Sequence, residues 1–186
     1  MYRERGRLPA RIPITMVPPL APQDIVAATV DDIPVVAALA EVIWREHYPA
    51  IISHAQIDYM LARGYSAEAL GAFVHDEGAG LAILVVGGSP AGFAAWCRAD
   101  EPATTKLDKL YVLASARGTG GGRRLIEHVE TAARADRSGA LILNVNKHNA
   151  KAIAAYRACG FAIRDEVVAD IGGGFVMDDF VMAKAL

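Results

Sequence analysis

Cysteine, surplus charge and long apolar runs are all scarce in this chain of 186 residues, and each scarcity removes a class of function. The two cysteines, Cys97 and Cys159, have no metal-ligand spacing and no partner motif. That argues against a disulfide framework and a metal site, and it fits a reducing, cytoplasmic setting. Net charge is -2 with a pI near 6.2, and no basic block lies in the body of the chain. The electrostatic footprint of a nucleic-acid binder is therefore missing, and small molecules or proteins are the expected partners. No apolar run reaches the roughly 20 residues of a spanning helix, and the N-terminus lacks a signal-peptide apolar segment, so no membrane role is expected. No internal repeat is visible.

What is present suits one domain. Hydrophobic residues make up 53% of the chain, and a chain of this length can bury roughly 70% of its unfolded surface. Residues 1–23 carry Arg3, Arg5, Arg7 and Arg11 among Pro9, Pro13, Pro18, Pro19 and Pro22. This composition favours an extended tail, leaving residues 24–186 as the domain. Met16 offers a natural start, since the regular pattern begins only after it.

The order of elements follows from local signals. Ile25 to Val30 reads as a short strand, and Asp31-Asp32 cap a helix to about Glu46 that Pro49 stops. Ser53 caps a second helix ended by Gly64, and a third runs from Ser66 to His75. Leu81 to Val86 and Ala91 to Cys97 form a hairpin around Gly87-Gly88-Ser89-Pro90. A strand from Thr105 to Leu113 then enters the turn Arg117-Gly118-Thr119-Gly120-Gly121-Gly122, which feeds a helix to about Asp136. Ala140 to Val145 is an apolar strand, parallel to the one before the helix because a right-handed crossover joins them. Asn149 caps a helix ending at Gly160. Phe161 to Asp170 and Phe175 to Lys184 close the chain as a second hairpin, the place where a homodimer would pair.

A strand that enters a helix through glycines is an anion site, because the first amides of the helix lack partners and glycines let a ligand lie against them. Spacing decides which anion. A dinucleotide fingerprint needs Gly-x-Gly-x-x-Gly, but Arg123 and Leu125 stand where its third glycine would be, and no acidic residue follows the next strand. A P-loop needs Gly-Lys-Ser/Thr, and Gly122 is followed by Arg123-Arg124. Arg117-x-x-Gly120-x-Gly122 does fit a known form.

With that loop, the sequence resembles the GNAT acetyltransferase superfamily, whose pyrophosphate loop reads Arg/Gln-x-x-Gly-x-Gly/Ala after the fourth strand. Asn149-x-x-Ala152-x-x-x-Tyr156-x-x-x-Gly160-Phe161 is similar to the family's second signature, and Leu107 to Val112 to its central strand. The resemblance implies an α/β GNAT fold: a mixed, mostly antiparallel sheet of about seven strands with a parallel central pair and flanking helices. It implies acetyl-CoA as co-substrate, with its pyrophosphate on the turn formed by Arg117, Gly118, Thr119, Gly120, Gly121, Gly122 and Arg123, the amides of Arg117, Gly118, Gly120, Gly122 and Arg123 being its contacts. The backbone around Leu110, Tyr111 and Val112 would take the pantetheine arm, and an amide there would hold the acetyl carbonyl as an oxyanion hole. Asn149 and Ala152 would line the same arm. Tyr156, two helical turns beyond Asn149 on one face, would be the general acid that protonates the thiolate.

The general base is unassigned by the resemblance. Lys106 stands where some members place a glutamate, so Asp108, on the same strand, and His47, at a helix end, are the weaker candidates. Trp44, His47, Tyr48, Tyr59 and Trp96 are candidates for the acceptor wall. The ending Gly174 to Lys184 is similar to that of bacterial members that include polyamine acetyltransferases, and Asp178 and Asp179 would attract a cationic amine if they faced the cleft. A solvated turn is the competing account of that pair. The expected activity is direct acetyl transfer to a small-molecule or peptide amine in a ternary complex. The alternatives are a non-catalytic acyl-CoA sensor with the same fold and a nicotinamide oxidoreductase, the latter opposed by the failed fingerprint.

Overall fold

A computed structural model describes residues 21–186; the expected tail to residue 20 and the start at Met16 lie outside the described residues. Strand β1 (Gln23–Ala27) begins at Gln23, one residue inside the expected tail, because Gln23 pairs with Val86 and Pro22 accepts a hydrogen bond from the Gly87 amide. Helix α1 (Ile33–His47) buries Val36, Leu39, Ala40, Ile43 and Trp44, the stripe that helical periodicity requires. Asp32 stands at the N-cap of α1, as expected of the Asp31-Asp32 pair, but its side chain makes no cap bond to that helix. Thr29 is the capping residue of a short 3-10 turn (Val30–Asp32), and Asp32 reaches back to the Thr29 amide at 2.8 Å. Helices α2 (His54–Gly64) and α3 (Ala67–His75) start where Ser53 and Ser66 accept hydrogen bonds from the amides three residues on.

Strands β2 (Gly80–Val86), β3 (Ser89–Arg98) and β4 (Thr104–Val112) form an antiparallel meander, followed by α4 (Gly121–Ala135), β5 (Ala140–Asn146), α5 (Ala150–Ala158), β6 (Ala162–Gly172) and β7 (Phe175–Ala185). The sheet has seven strands in the order β1-β2-β3-β4-β5-β7-β6, antiparallel except for β4 and β5. This is the mixed sheet with a parallel central pair expected from the sequence. One face is covered by α1, α2 and α3 around Phe93, Ile57 and Leu70, and the other by α4 and α5 around Leu125, Val129 and Met182. Among the described residues, no helix is long and apolar enough to cross a membrane.

Strand β4 carries a bulge. Lys106 pairs with Cys97 and Leu107 with Trp96, but Lys109, not Asp108, pairs with Ala95. Asp108 is the extra residue, so Lys106 and Lys109 share the face that carries Tyr111, although strict alternation would set them on opposite faces.

Candidate active site

The site begins where two strands part. Beyond Lys106, which pairs with Ile142, the registered pairing of β4 with β5 ends, and β4 continues to Val112 bonded to β3 alone. Between the parted strands lies a cleft of about 650 Å³, lined by Leu107 to Val112 on one side and Asn144 to Asn146 on the other. The β5-facing edge of β4 therefore offers unpaired backbone amides and carbonyls to whatever enters.

The glycine turn stands at the mouth of this opening. Gly118 (φ 77°) and Gly120 (φ 90°) take left-handed backbone that a side chain would strain. Among the described residues, the amides of Gly118, Gly120, Gly122 and Arg123 donate to no other backbone group, whereas Arg124 already donates to the Gly120 carbonyl. The Thr119 and Gly121 amides likewise donate to no backbone group, so the run from Gly118 to Arg123 leaves its amides free at a helix N-terminus, where the helix dipole adds positive potential. The Arg117 amide is not among them: it donates to Ala114, and its Nε donates to the Val112 carbonyl at 2.9 Å. The Arg123 guanidinium likewise turns to the Ala158 carbonyl, at 2.9 Å. Thr119 and Gly121, expected among the binding residues, are outside the cleft lining. Thr119 bonds the side chain of Gln23 on β1, and Gly121 packs so closely on Leu84 that a Cβ would lie 2.5 Å from it. Both residues fix the turn against β1 and β2.

Helix α5 forms the facing wall with Asn149, Ala152 and Tyr156, all lining the cleft. Asn149 is buried; its Oδ1 accepts the Ala152 amide at 3.3 Å, capping the helix, and lies 3.2 Å from His47 Nε2. Since Oδ1 is an acceptor, His47 must donate through Nε2, which leaves Nδ1 as the free ring acceptor. Burial lowers the His47 pKa most, with Arg117 and Lys151 pushing the same way, so the ring is neutral at pH 7. Tyr156 packs edge-on to Phe161 at 5.8 Å, and its hydroxyl makes no hydrogen bond among the described residues. Burial pushes this phenol well above its ordinary pKa, so it carries its proton at neutral pH.

The other end of the cleft is aromatic and charged. Trp44 donates from Nε1 to the Tyr65 hydroxyl at 3.0 Å, stacks on Tyr48 at 4.3 Å and reaches Tyr111 at 5.8 Å. His47, at the end of α1, joins them. Trp96, expected in the same wall, lies elsewhere. Because it pairs with Leu107, it projects onto the α4 face, over Gly80 and edge-on to His128 at 5.7 Å. Tyr59 is also outside the cleft lining, its hydroxyl donating to Ile171 at 2.6 Å.

Asp108 reaches the cleft, but each of its oxygens is held by an ammonium: Lys106 at 2.9 Å and Lys109 at 2.8 Å. Burial would raise its pKa, yet the two lysines prevail and hold it below the usual carboxylate value. So paired, it is a poor proton acceptor. Asp178 and Asp179 lie in the middle of β7, opposite Val168 and Val167 of β6, not in the solvated turn that was the competing account. Asp179 lines the cleft and is buried. Sequence reasoning weighed it only as an attractor of cations; the signal for more was the alternation Met177, Asp179, Val181 within an apolar strand.

Residues 36–161 match the Acetyltransferase (GNAT) family model, and this span contains both the glycine turn and Tyr156. An IAA acetyltransferase of Azospirillum brasilense is 42% identical over 59 residues, which are 32% of this chain and only 39% of that relative's length. Among solved structures, a PaiA N-acetyltransferase of Thermoplasma acidophilum in complex with coenzyme A superposes with a TM-score of 0.76 at 19% identity, over 89% of this chain and 99% of that one. A GCN5-related N-acetyltransferase of Rhodopseudomonas palustris gives 0.73 at 22% identity, over 90% and 98%. At such identities the superpositions speak for the fold, and the family match speaks for descent. With the parted strands, the free amides and the facing tyrosine in place, the chain belongs to the GNAT acetyltransferase family.

Proposed function

We propose that this protein moves the acetyl group of acetyl-CoA to a primary amine by direct transfer within a ternary complex. The observation that carries the reading is the set of free amides at Gly118, Gly120, Gly122 and Arg123, aimed at one mouth of a cleft whose walls are the unpaired edge of β4 and the Tyr156 face of α5. In this reading the amides take the pyrophosphate, the edge of β4 from Leu110 to Val112 pairs with the pantetheine arm, and Asn149 and Ala152 flank that arm. A β4 amide holds the developing oxyanion. Tyr156, which burial keeps protonated at neutral pH, gives its proton to the departing thiolate as charge develops on sulfur. Arg117 and Arg123 act by brace and charge: their guanidiniums fix the turn while adding positive potential.

Residues 24–186 act as the transferase domain in this reading, with the preceding residues as an appendage. The unpaired cysteines suit the reducing cytoplasm. The acceptor is a small molecule or peptide presenting a primary amine to the Trp44, His47 and Tyr48 end of the cleft.

Mixing the protein with acetyl-CoA and a panel of polyamines, aminoglycosides and peptides, and measuring both binding and free-thiol release, tests the proposal. Amine-dependent thiol release is the expected result. Cofactor binding without turnover on any acceptor would replace the enzyme by an acyl-CoA sensor, and no coenzyme A binding would remove both.

A further inference from the structure

One carboxylate in the cleft is explained by nothing in the fold. Asp179 is 5% exposed, and its Oδ1 has no hydrogen-bond partner among the described residues. Burying such a group without compensation is costly, and folds retain it chiefly where a function uses it. Its neighbour has a different fate. Asp178 points to the other side of β7, where the Lys147 ammonium lies 2.6 Å from it and 2.9 Å from the Glu166 carboxylate. The alternation of β7 sends Met177 and Asp179 into the cleft and keeps Asp178 out of it. Asp179 pairs across the strands with Asn146, the last residue of β5, at the depth where β4 has already parted from β5. The other carboxylate of the cleft, Asp108, has both oxygens on lysines.

We propose that Asp179 is a catalytic residue: it receives the acceptor as a primary ammonium ion on its free oxygen and takes the proton that must leave before the nitrogen can attack. The inference deepens the acetyltransferase reading and rests on it. The step balances as follows. The ammonium gives one proton to the Asp179 carboxylate and becomes a neutral amine. Its lone pair forms the C–N bond at the thioester carbon, and the C–S pair leaves with sulfur, which takes the Tyr156 proton. Tyr156 is reprotonated by the second proton of the attacking nitrogen, and Asp179 later releases its proton to solvent. One ammonium and one thioester thus give one amide, one thiol and one proton.

The surroundings suit this role. Burial raises the Asp179 carboxyl to about 6, with Asp178 adding to the rise and Lys106 and Lys147 opposing it. Lys106 on β4 and the Tyr48 hydroxyl after α1 lie in the same cleft, Lys147 acts on it by charge from beside Asp178 on the other side of β7, and its neighbour on β6 is the apolar Val167. The group is therefore ionised at neutral pH, yet a stronger base than an ordinary aspartate.

The test compares wild type with Asp179→Asn, using acetyl-CoA and whichever amine of the panel is turned over fastest. The substitution keeps shape and removes the base. We expect kcat/KM to fall by about a hundredfold to a thousandfold, acetyl-CoA affinity to stay within about twofold, and the acid limb near pH 6 in the wild-type profile to vanish. Activity within about threefold with the acid limb retained would overturn the proposal, as would loss of acetyl-CoA binding in the variant, which would make Asp179 structural. Wild type that binds acetyl-CoA but acetylates nothing would instead fell the acetyltransferase reading, and this one with it.

Discussion

At the end proposed to take the donor, the cleft presents backbone: the free amides of a glycine turn and the unpaired edge of β4. At the end proposed for the acceptor it presents side chains gathered from around α1, α2, β4 and β7: Trp44 and Tyr48, Tyr65, Lys106 and Lys109, and Asp179. The first kind of site is set by main-chain geometry and tolerates many side chains around it. The second depends on which residues long-range packing brings together, and a single substitution can change its chemistry. One fold can thus keep its donor and exchange its acceptor.

If this division is right, variants at the two ends should fail in different ways. The largest expected effect is at the junction: Tyr156→Phe should lower kcat by about a hundredfold while isothermal titration shows acetyl-CoA affinity nearly unchanged, and full turnover in the variant would remove the tyrosine from the chemistry. Next, Gly120→Val forces a β-branched residue to φ 90°. A strain on the order of 1–3 kcal/mol should weaken acetyl-CoA by about tenfold or more, with the acceptor KM little changed; a raised acceptor KM instead would break the separation of the two ends.

A third prediction concerns stability. The Asp179 carboxyl titrates at about 6 in the fold against an ordinary 3.8, so it favours the folded state below pH 4 and that benefit is lost as pH rises through 6. The loss is on the order of 3 kcal/mol at most. Asp179→Asn should therefore melt several degrees higher than wild type at pH 8 and at nearly the same temperature at pH 4. An equal shift at both values would mean the carboxyl is not destabilised by burial. The smallest effect is expected from Trp96→Phe: packed over Gly80 on the α4 face, it should leave the acceptor KM unchanged, and a large rise would return Trp96 to the acceptor wall.

The donor end was legible in the sequence because its signals are local. Asn149, like Ser53 elsewhere in the fold, caps the helix it was expected to cap, and Gly118 and Gly120 stand where positive φ is required. That the Arg117 amide already donates to Ala114 could not be read in advance, because the short 3-10 turn from Ala114 to Ala116 leaves no mark in the residue pattern. The acceptor end was largely illegible. The bulge at Asp108 arises from cross-strand packing, and it alone decides that Lys106 and Lys109 share a face and grip the carboxylate between them. The register of β3 on β4, not the helix spacing around it, sends Trp96 away from the cleft. Two adjacent aspartates resemble a turn in any sequence; only the insertion of β7 between β5 and β6 makes one of them buried.

The early parting of β4 and β5 has a consequence beyond catalysis. An open strand edge invites other polypeptides to add to the sheet, and proteins commonly guard such edges. Here the edge is recessed between Tyr48 on one side and Ala152 and Tyr156 on the other. A whole strand with side chains on both faces meets those walls, whereas a thin, unbranched chain bearing amide groups can slide between them. The fold thereby keeps an adhesive edge in its middle without offering it to its neighbours: the slot is a size filter against aggregation as well as a berth for a ligand.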